Sequence, residues 1–341
     1  MQALILVGGE GTRLRPLTET VPKSVMPLAG QPFLSYMIEW LGRHGVEDVV
    51  LACGIGSEKV REVLGEGGKP RLRYVDEPEP RGTAGAIKFA AEQLSDRFLA
   101  LNGDVLTDLD LTALMRFHEQ SGARATLGLY PVQDATGYGL VRRDDDGAVV
   151  EFLEKPDRPV PGQINAGTYV LERSVLDLIP DGQMVSIERE VFPRLIGEGL
   201  YALPLDGYWM DIGTPDRYLQ ATWDILERRV RTALGDALDS DGRLVAGDAD
   251  LGDGATVEGP ALVGNGARVG AGAVVGPRAV IGPGCEIGAG AEVASSVLLE
   301  DCRVGENATV AGTIAAAGVE IAAGASLELG SVIGAGETVV A

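Results

Sequence analysis

The sequence predicts an α/β fold on a mainly parallel sheet, followed by a β-helix of hexapeptide repeats. Three observations carry that expectation. Ala3–Val7 is a continuous apolar run suited to a strand buried on both faces, and it opens into a glycine-rich loop. Over the first 230 residues apolar runs alternate with amphipathic helical patterns, as a parallel sheet with covered faces requires. From residue 251 an aliphatic residue recurs every six positions. A chain of 341 residues can bury two cores. The shift to a glycine-, alanine- and valine-rich tail predicts domains at 1–230 and 249–341, with residues 231–248 as linker.

The net charge of -21 argues against nucleic acid or an anionic membrane surface as partner, since both need a basic face. No apolar stretch approaches the ~20 residues of a membrane span, and the N-terminus lacks a signal-peptide pattern, so a cytoplasmic protein is expected. Cys53, Cys285 and Cys302 have no metal-type spacing and read as small buried residues.

In chain order, the loop after the first strand is Gly8-Gly9-Glu10-Gly11-Thr12-Arg13-Leu14-Arg15-Pro16-Leu17-Thr18. Its glycines let backbone N–H groups approach negative charge, and Arg13, Arg15 and Lys23 can neutralise phosphates. It lacks the Lys-Ser/Thr of a P-loop, and Leu14 stands where the dinucleotide fingerprint needs its third glycine. Pro32–Arg43 has a helical pattern with Phe33, Met37 and Leu41 on one face and a stop at Gly45. Strands follow at Asp48–Ala52 and Leu72–Val75, with a helix at Lys59–Leu64 between them and another at Ala84–Leu94, entered through Gly82-Thr83.

Ligands of open parallel sheets bind beyond the carboxyl ends of the strands, which directs attention to particular loops. Residues 77–85 include Glu77 and end in Gly82-Thr83-Ala84-Gly85, a helix start able to hydrogen-bond a base edge or simply a capped loop. The strand Phe98–Leu101 ends in Asn102-Gly103-Asp104, where Asp104 is either a cation-holding carboxylate or a turn aspartate. Asp108 and Asp110 read as solvated or capping residues before a helix at Leu111–Gln120. A strand at 124–131 and another from Gly137 to Val141 come next, then a hairpin turn at Asp144–Gly147 and a strand ending in Glu154-Lys155-Pro156. Ser186–Pro193 opens a helix capped by Ser186, and Asp211 precedes a helix begun by Thr214-Pro215.

The first loop together with Pro22-Lys23-Ser24-Val25-Met26-Pro27-Leu28 resembles the signature of the sugar-phosphate nucleotidyltransferases. Tyr138-Gly139-Leu140-Val141, Glu154-Lys155-Pro156, Asn165-Ala166-Gly167 and Trp209-Met210-Asp211-Ile212-Gly213-Thr214 extend the resemblance. It implies a Rossmann-like, mixed but mainly parallel sheet. It also implies that Arg13 and Lys23 are catalytic and that Asp104 and Asp211 together hold Mg²⁺. Nucleotide-binding roles would fall to Leu6, Gly8, Gly9, Gly11, Thr12, Arg13, Glu77, Gly82, Thr83, Ala84 and Asn102. Gly103, Gly139, Glu154, Lys155, Asn165 and Gly167 would bind the sugar phosphate, with Glu154 on hydroxyls and Lys155 on phosphate. The 82–85, 186–193 and 208–215 segments most resemble the mannose-1-phosphate guanylyltransferase branch, while the glucose-1-phosphate thymidylyl- and uridylyltransferases share most of the scaffold.

In the tail, Leu251, Val257, Val263, Val269, Val275, Ile281, Ile287, Val293 and Leu299 follow the six-residue period. The register slips near residue 300 and again before Ile321, so later corners are shortened. The repeats resemble the left-handed β-helix of bacterial acyltransferases and of two-domain nucleotidyltransferases. Acetyl transfer there uses a histidine base, but His44 and His118 both lie outside the tail and read as structural. The tail is therefore expected to serve oligomerisation or regulation.

The expected reaction joins a nucleoside triphosphate to a sugar 1-phosphate, GTP and mannose 1-phosphate first, and releases pyrophosphate. A homo-oligomer is expected. A catalytically silent nucleotide-sugar sensor is the alternative, against which stand Arg13, Lys23, Asp104 and Asp211, all retained.

Overall fold

The computed structural model describes residues 1–340 except Glu10, Ile55, Gly67 and Glu328; of the glycine-rich loop, Glu10 alone lies outside the described residues. The chain forms two compact units, residues 1–9 with 37–209 and residues 10–36 with 210–341.

The first unit holds a nine-stranded sheet. Its strands are β1 (Gln2–Val7), β2 (Asp48–Cys53), β3 (Arg71–Asp76), β4 (Arg97–Asn102), β5 (Ala125–Val132), β6 (Gly139–Arg143), β7 (Val149–Glu154), β8 (Gly162–Glu172) and β9 (Leu200–Pro204). The order is β7-β6-β8-β4-β1-β2-β3, with β5 pairing β8 and β9 pairing β5. The four strands β4-β1-β2-β3 are mutually parallel. Strand β8 runs antiparallel to β4, β5 and β6, so the sheet is mixed, as the resemblance implied. Ala3, Leu4 and Ile5 are fully buried, the mark of a central strand covered on both faces.

Helices α1 (Phe33–Arg43), α2 (Ser57–Leu64) and α4 (Leu111–Ser121) fall where the sequence places them, within two residues, whereas α3 (Gly82–Phe89) stops five residues short of the expected Leu94 and a separate 3-10 turn at Ala91–Gln93 follows. Asp110 caps α4 by accepting from the N–H groups of Thr112 and Ala113. One expectation changes character. Ser186 does cap the next element by accepting from Arg189 N–H, but Ile187–Val191 is a π-helical turn, and only Phe192–Leu195 (α5) is α-helical. The strand expected from Gly137 begins at Gly139.

In the second unit, helices α6 (Pro215–Leu226) and α7 (Ala233–Ala237) precede three parallel sheets of six, six and five short strands. Successive coils stack strand on strand, the arrangement of a left-handed β-helix. Val263, Val269, Val275, Ile281, Ile287 and Val293 fill its interior. Two period positions are corrected. Leu251, in the first coil, is 42% exposed because no earlier coil covers it. At the end of the series Leu298 rather than Leu299 stacks on Ile281, because the corner after Val293 is one residue short. The next coil repeats the deletion, pairing Leu298 with Ala315, and Ser296 Oγ donates to Ala294 O and accepts from Thr313 N–H between the two shortened corners.

One outer face of this β-helix carries a ladder in strand register: Asp250, Arg268, Glu286, Arg303, Glu320 and Thr338. Arg268 pairs with Glu286 and Arg303 with Glu320 across neighbouring coils. All three cysteines are buried and free; burial pushes the Cys53 thiol up to about 12.

Candidate active site

The residues expected to act fall into two groups, one in each unit. In the second unit, Gly11 has φ +60°, and a Cβ there would lie 3.0 Å from Thr18 Cγ2 and 3.1 Å from Lys23 Cβ. Only glycine lets the loop fold this tightly over the lysine. Thr18 Oγ1 donates to Gly11 O, closing the turn. Lys23 Nζ lies 4.0 Å from Asp211 Oδ1, although 188 residues separate them in sequence. Arg217, on the first turn of α6, places NH1 3.1 Å from Asp211 Oδ2. A Cβ on Gly213 would meet the Arg13 guanidinium at 2.6 Å and Asp211 Oδ1 at 3.2 Å, so Gly213 leaves room for Arg13 beside the carboxylate. Three cations thus gather on one acid. The sequence reading missed Arg217; its signal was its place three residues after the Thr214 cap, on the turn nearest Asp211.

In the first unit the carboxyl edge of the sheet is shaped by glycines. A Cβ on Gly103 would stand 2.5 Å from Leu6 O, so only glycine lets the chain leave β4 hard against β1 and deliver Asp104 at the edge. The register of β8 against β5 shifts between Asn165 and Tyr169, with Gly167 at φ +68°. A Cβ on Gly167 would meet Asn102 Nδ2 at 2.8 Å, so the bulge seats against Asn102, whose Oδ1 is buried and has no hydrogen-bond partner among the described residues. Asn165 Oδ1 accepts from Gly167 N–H, and its Nδ2 donates to Tyr169 Oη.

Gly139 makes space for its cross-strand neighbour Glu154, whose Oε2 would lie 3.0 Å from a Cβ there. The strand ends at Glu154, and Lys155 adopts φ +53°, rare for a side-chain-bearing residue. That conformation brings Lys155 Nζ to 4.0 Å from Glu154 Oε1, on the same side instead of the opposite face of a continuing strand. Burial, then the nearby Glu188 carboxylate, raises the Glu154 pKa above the ordinary glutamate value, against the pull of Lys155 and Arg189.

Residues 82–85 pack against 183–188. Gly82 has φ +68°, and a Cβ would be 2.6 Å from Val185 O. The N–H groups of Ala84 and Gly85 both donate to Val185 O, so those two donors face inward. Thr83 Oγ1 donates to Glu188 Oε2 and accepts from Ile187 N–H, each at 2.8 Å. Glu77, just past β3, has its pKa raised by burial. Gly8 and Gly9 are exposed at the end of β1, Leu6 is half-buried, and Thr12 and Arg13 are exposed.

Asp104 and Asp211 offer hard oxygen donors. Among the described residues no group of three or more metal-binding side chains occurs. Each carboxylate by itself is a fitting ligand for a cation such as Mg²⁺, which takes one or two carboxylates plus substrate phosphates and water. His118, buried, bonds Thr126 and Glu172, and His44 bonds Thr112, so both are structural.

The model of the nucleotidyl transferase domain matches residues 2–228. The chain belongs to the nucleotidyl transferase family. Residues 257–340 match the GMPPB C-terminal domain. This nucleotidyl transferase is 42% identical over 232 residues to a mannose-1-phosphate guanylyltransferase of Mycobacterium tuberculosis, covering 66% of this chain and 65% of that one. It is 40% identical over 227 residues to the catalytic subunit beta of the Xenopus tropicalis guanylyltransferase, over 64% of this chain and 63% of the relative. The matches therefore span just under two thirds of each relative's length. Among solved structures, HddC from Yersinia pseudotuberculosis, crystallised with GMP-PN, is similar at 29% identity and a TM-score of 0.57, over 65% of this chain and 97% of that one.

Proposed function

We propose that this nucleotidyl transferase joins GTP and mannose 1-phosphate to give GDP-mannose and pyrophosphate, in the cytoplasm. The observation that carries the reading is Lys23 beside Asp211 with Arg13 against Gly213, a phosphate-handling cluster drawn from distant parts of the sequence. The guanylyltransferase names of its relatives support the choice of base and sugar. Among the described residues no helix is long and apolar enough to cross a membrane.

In this reading an oxygen of the sugar phosphate attacks the α-phosphorus in line and the pyrophosphate leaves from the opposite side. No protein nucleophile is required, because the attacking phosphate is already charged. Catalysis is positioning and charge neutralisation. Arg13 holds the leaving pyrophosphate, Lys23 steadies the developing charge, and Lys155 anchors the sugar phosphate while Glu154 accepts from its hydroxyls. The glycines at 8, 9 and 11 with Leu6 and Thr12 wrap the triphosphate; Glu77, 82–84 and Asn102 face the nucleoside, and Gly103, Gly139, Asn165 and Gly167 shape the sugar pocket. Mg²⁺, held by Asp104 and Asp211, would supply charge neutralisation on the reacting phosphates. Residues 1–230 are the catalytic domain in this proposal, 231–248 the linker and 249–341 the β-helix domain, through which copies of the chain associate.

The test is pyrophosphate release with Mg²⁺, crossing GTP, dTTP, UTP, ATP and CTP with mannose 1-phosphate and glucose 1-phosphate. Turnover confined to GTP and mannose 1-phosphate is expected. Turnover with dTTP or UTP and glucose 1-phosphate would move the substrates, and silence throughout would sink the enzyme reading.

A further inference from the structure

The sequence reading left Glu188 unassigned, yet the fold immobilises it. Thr83 Oγ1 and Ser186 Oγ both donate to its Oε2, at 2.8 and 2.7 Å, and these are its hydrogen bonds among the described residues. It sits in a π-helical turn, a form that often marks functional sites, and is half-buried. Two elements meet at this carboxylate: the start of α3, through Thr83, and the turn after Val185. Phe192, four residues on, packs its ring against Phe152 (5.8 Å between centroids) and Tyr169 (5.1 Å), which sets this turn against the strand that ends in Glu154, and the Glu188 carboxylate raises the pKa values of both Glu154 and Tyr169.

Two neighbouring half-buried carboxylates repel unless hydrogen-bond donors come between them. A sugar supplies such donors in vicinal pairs, since each hydroxyl can donate to an ionised carboxylate. We propose that Glu188 is a specificity-determining residue that accepts from hydroxyls of the sugar 1-phosphate alongside Glu154, held for that purpose by Thr83 and Ser186. The inference rests on the sugar-phosphate reading of this pocket. It also gives Thr83 a second task, linking the segment assigned to the base with the one that reads the sugar.

A purely structural Glu188, tying 82–85 to 183–188, would disturb both substrates alike. The experiment is therefore steady-state kinetics of Glu188→Gln in the full chain, varying each substrate at saturation of the other. Glutamine keeps the shape and an oxygen for Thr83 and Ser186. KM for mannose 1-phosphate is expected to rise about tenfold, the usual effect of weakening a hydrogen bond to a charged acceptor, with KM for GTP changed less than about twofold. The acid limb of kcat/KM should move to lower pH, because Glu154 loses one negative neighbour while Lys155, Arg189 and Tyr169 remain around it.

Equal changes in both KM values, or a sugar KM and acid limb like the wild type's, overturn the inference. Ser186→Ala, which removes one donor holding the carboxylate, should shift the sugar KM in the same direction by less, and it serves if Glu188→Gln fails to fold. An active wild type with unaltered variants sinks this inference alone. A wild type that turns over no sugar 1-phosphate sinks the underlying reading and this inference with it.

Discussion

Gly103 shows how a single missing side chain sets the site. Its Cβ would collide with the Leu6 carbonyl, and neither strand can yield without breaking the β1–β4 ladder. Gly103→Ala should therefore lower stability by about 1–3 kcal/mol, read as a fall in thermal midpoint, and displace Asp104 enough to depress turnover. Exposed Gly45, with open space around its Cβ, is a contrast only in crowding, since its φ of +75° also disfavours alanine. Lys23→Ala and Asp211→Ala act on chemistry instead. Each should lose at least about a hundredfold in kcat, on the order of 3 kcal/mol, with the thermal midpoint near the wild type's. His118 makes a pH prediction. Burial lowers its pKa below the ordinary 6.5 despite the raising pull of Glu172. Below that value the unfolded chain takes up a proton that the folded one resists, so stability is full above it and declines as the pH falls beneath it. His118→Gln should flatten that slope in urea unfolding between pH 7 and 5, and an unchanged slope would show that another group sets it.

At the scale of elements, the shortened β-helix corners make the sharpest case. Ser296 and Thr313 are both fully buried, and Ser296 Oγ satisfies the Thr313 N–H where no coil backbone reaches it. Ser296→Ala should destabilise by about 1–3 kcal/mol, the penalty for stranding a buried donor. Ser326→Ala, exposed on the outer face, should stay within about 0.5 kcal/mol in the same unfolding assay. Why some elements were legible and others not follows from what each depends on. The β-helix repeats were plain because each coil position sees the same interior, yet Leu298 and Leu299 are chemically alike and only the corner length chooses between them. Helix α4 announced its start through Asp110, a local cap. The π turn at Ile187–Val191 was not readable, because its extra residue is settled by Glu188 reaching Thr83, 105 positions away. The glycine loop and Lys23 were visible from their local string, whereas Arg217 and Glu188 acquire meaning only through partners that folding brings to them.

At the scale of the whole molecule, the charge ladder bears on how copies would associate. Asp250, Arg268, Glu286, Arg303, Glu320 and Thr338 alternate in sign up to the last rung, one coil apart, at a strand spacing of about 4.8 Å. Reversing that order and laying it on itself sets Arg268 against Glu320, and Glu286 against Arg303, in both directions. A two-fold, antiparallel pairing of β-helices is thus complementary at every charged rung opposed to another. A parallel pairing in register opposes like charges, and slipping it by one coil relieves them only in an open, non-closing array. Exposed ion pairs contribute about 0–1 kcal/mol each and are screened within about 3 Å at 1 M salt, so this contact should be weak and salt-sensitive. Sedimentation velocity at low salt should find dimers that dissociate at 1 M NaCl. Arg303→Glu, which puts two glutamates together twice across the two-fold, should be monomeric at either salt while keeping its thermal midpoint. Dimers that survive both treatments would place the interface on another face of the chain, and a wild type that stays monomeric at low salt would remove the proposed association through the β-helix altogether.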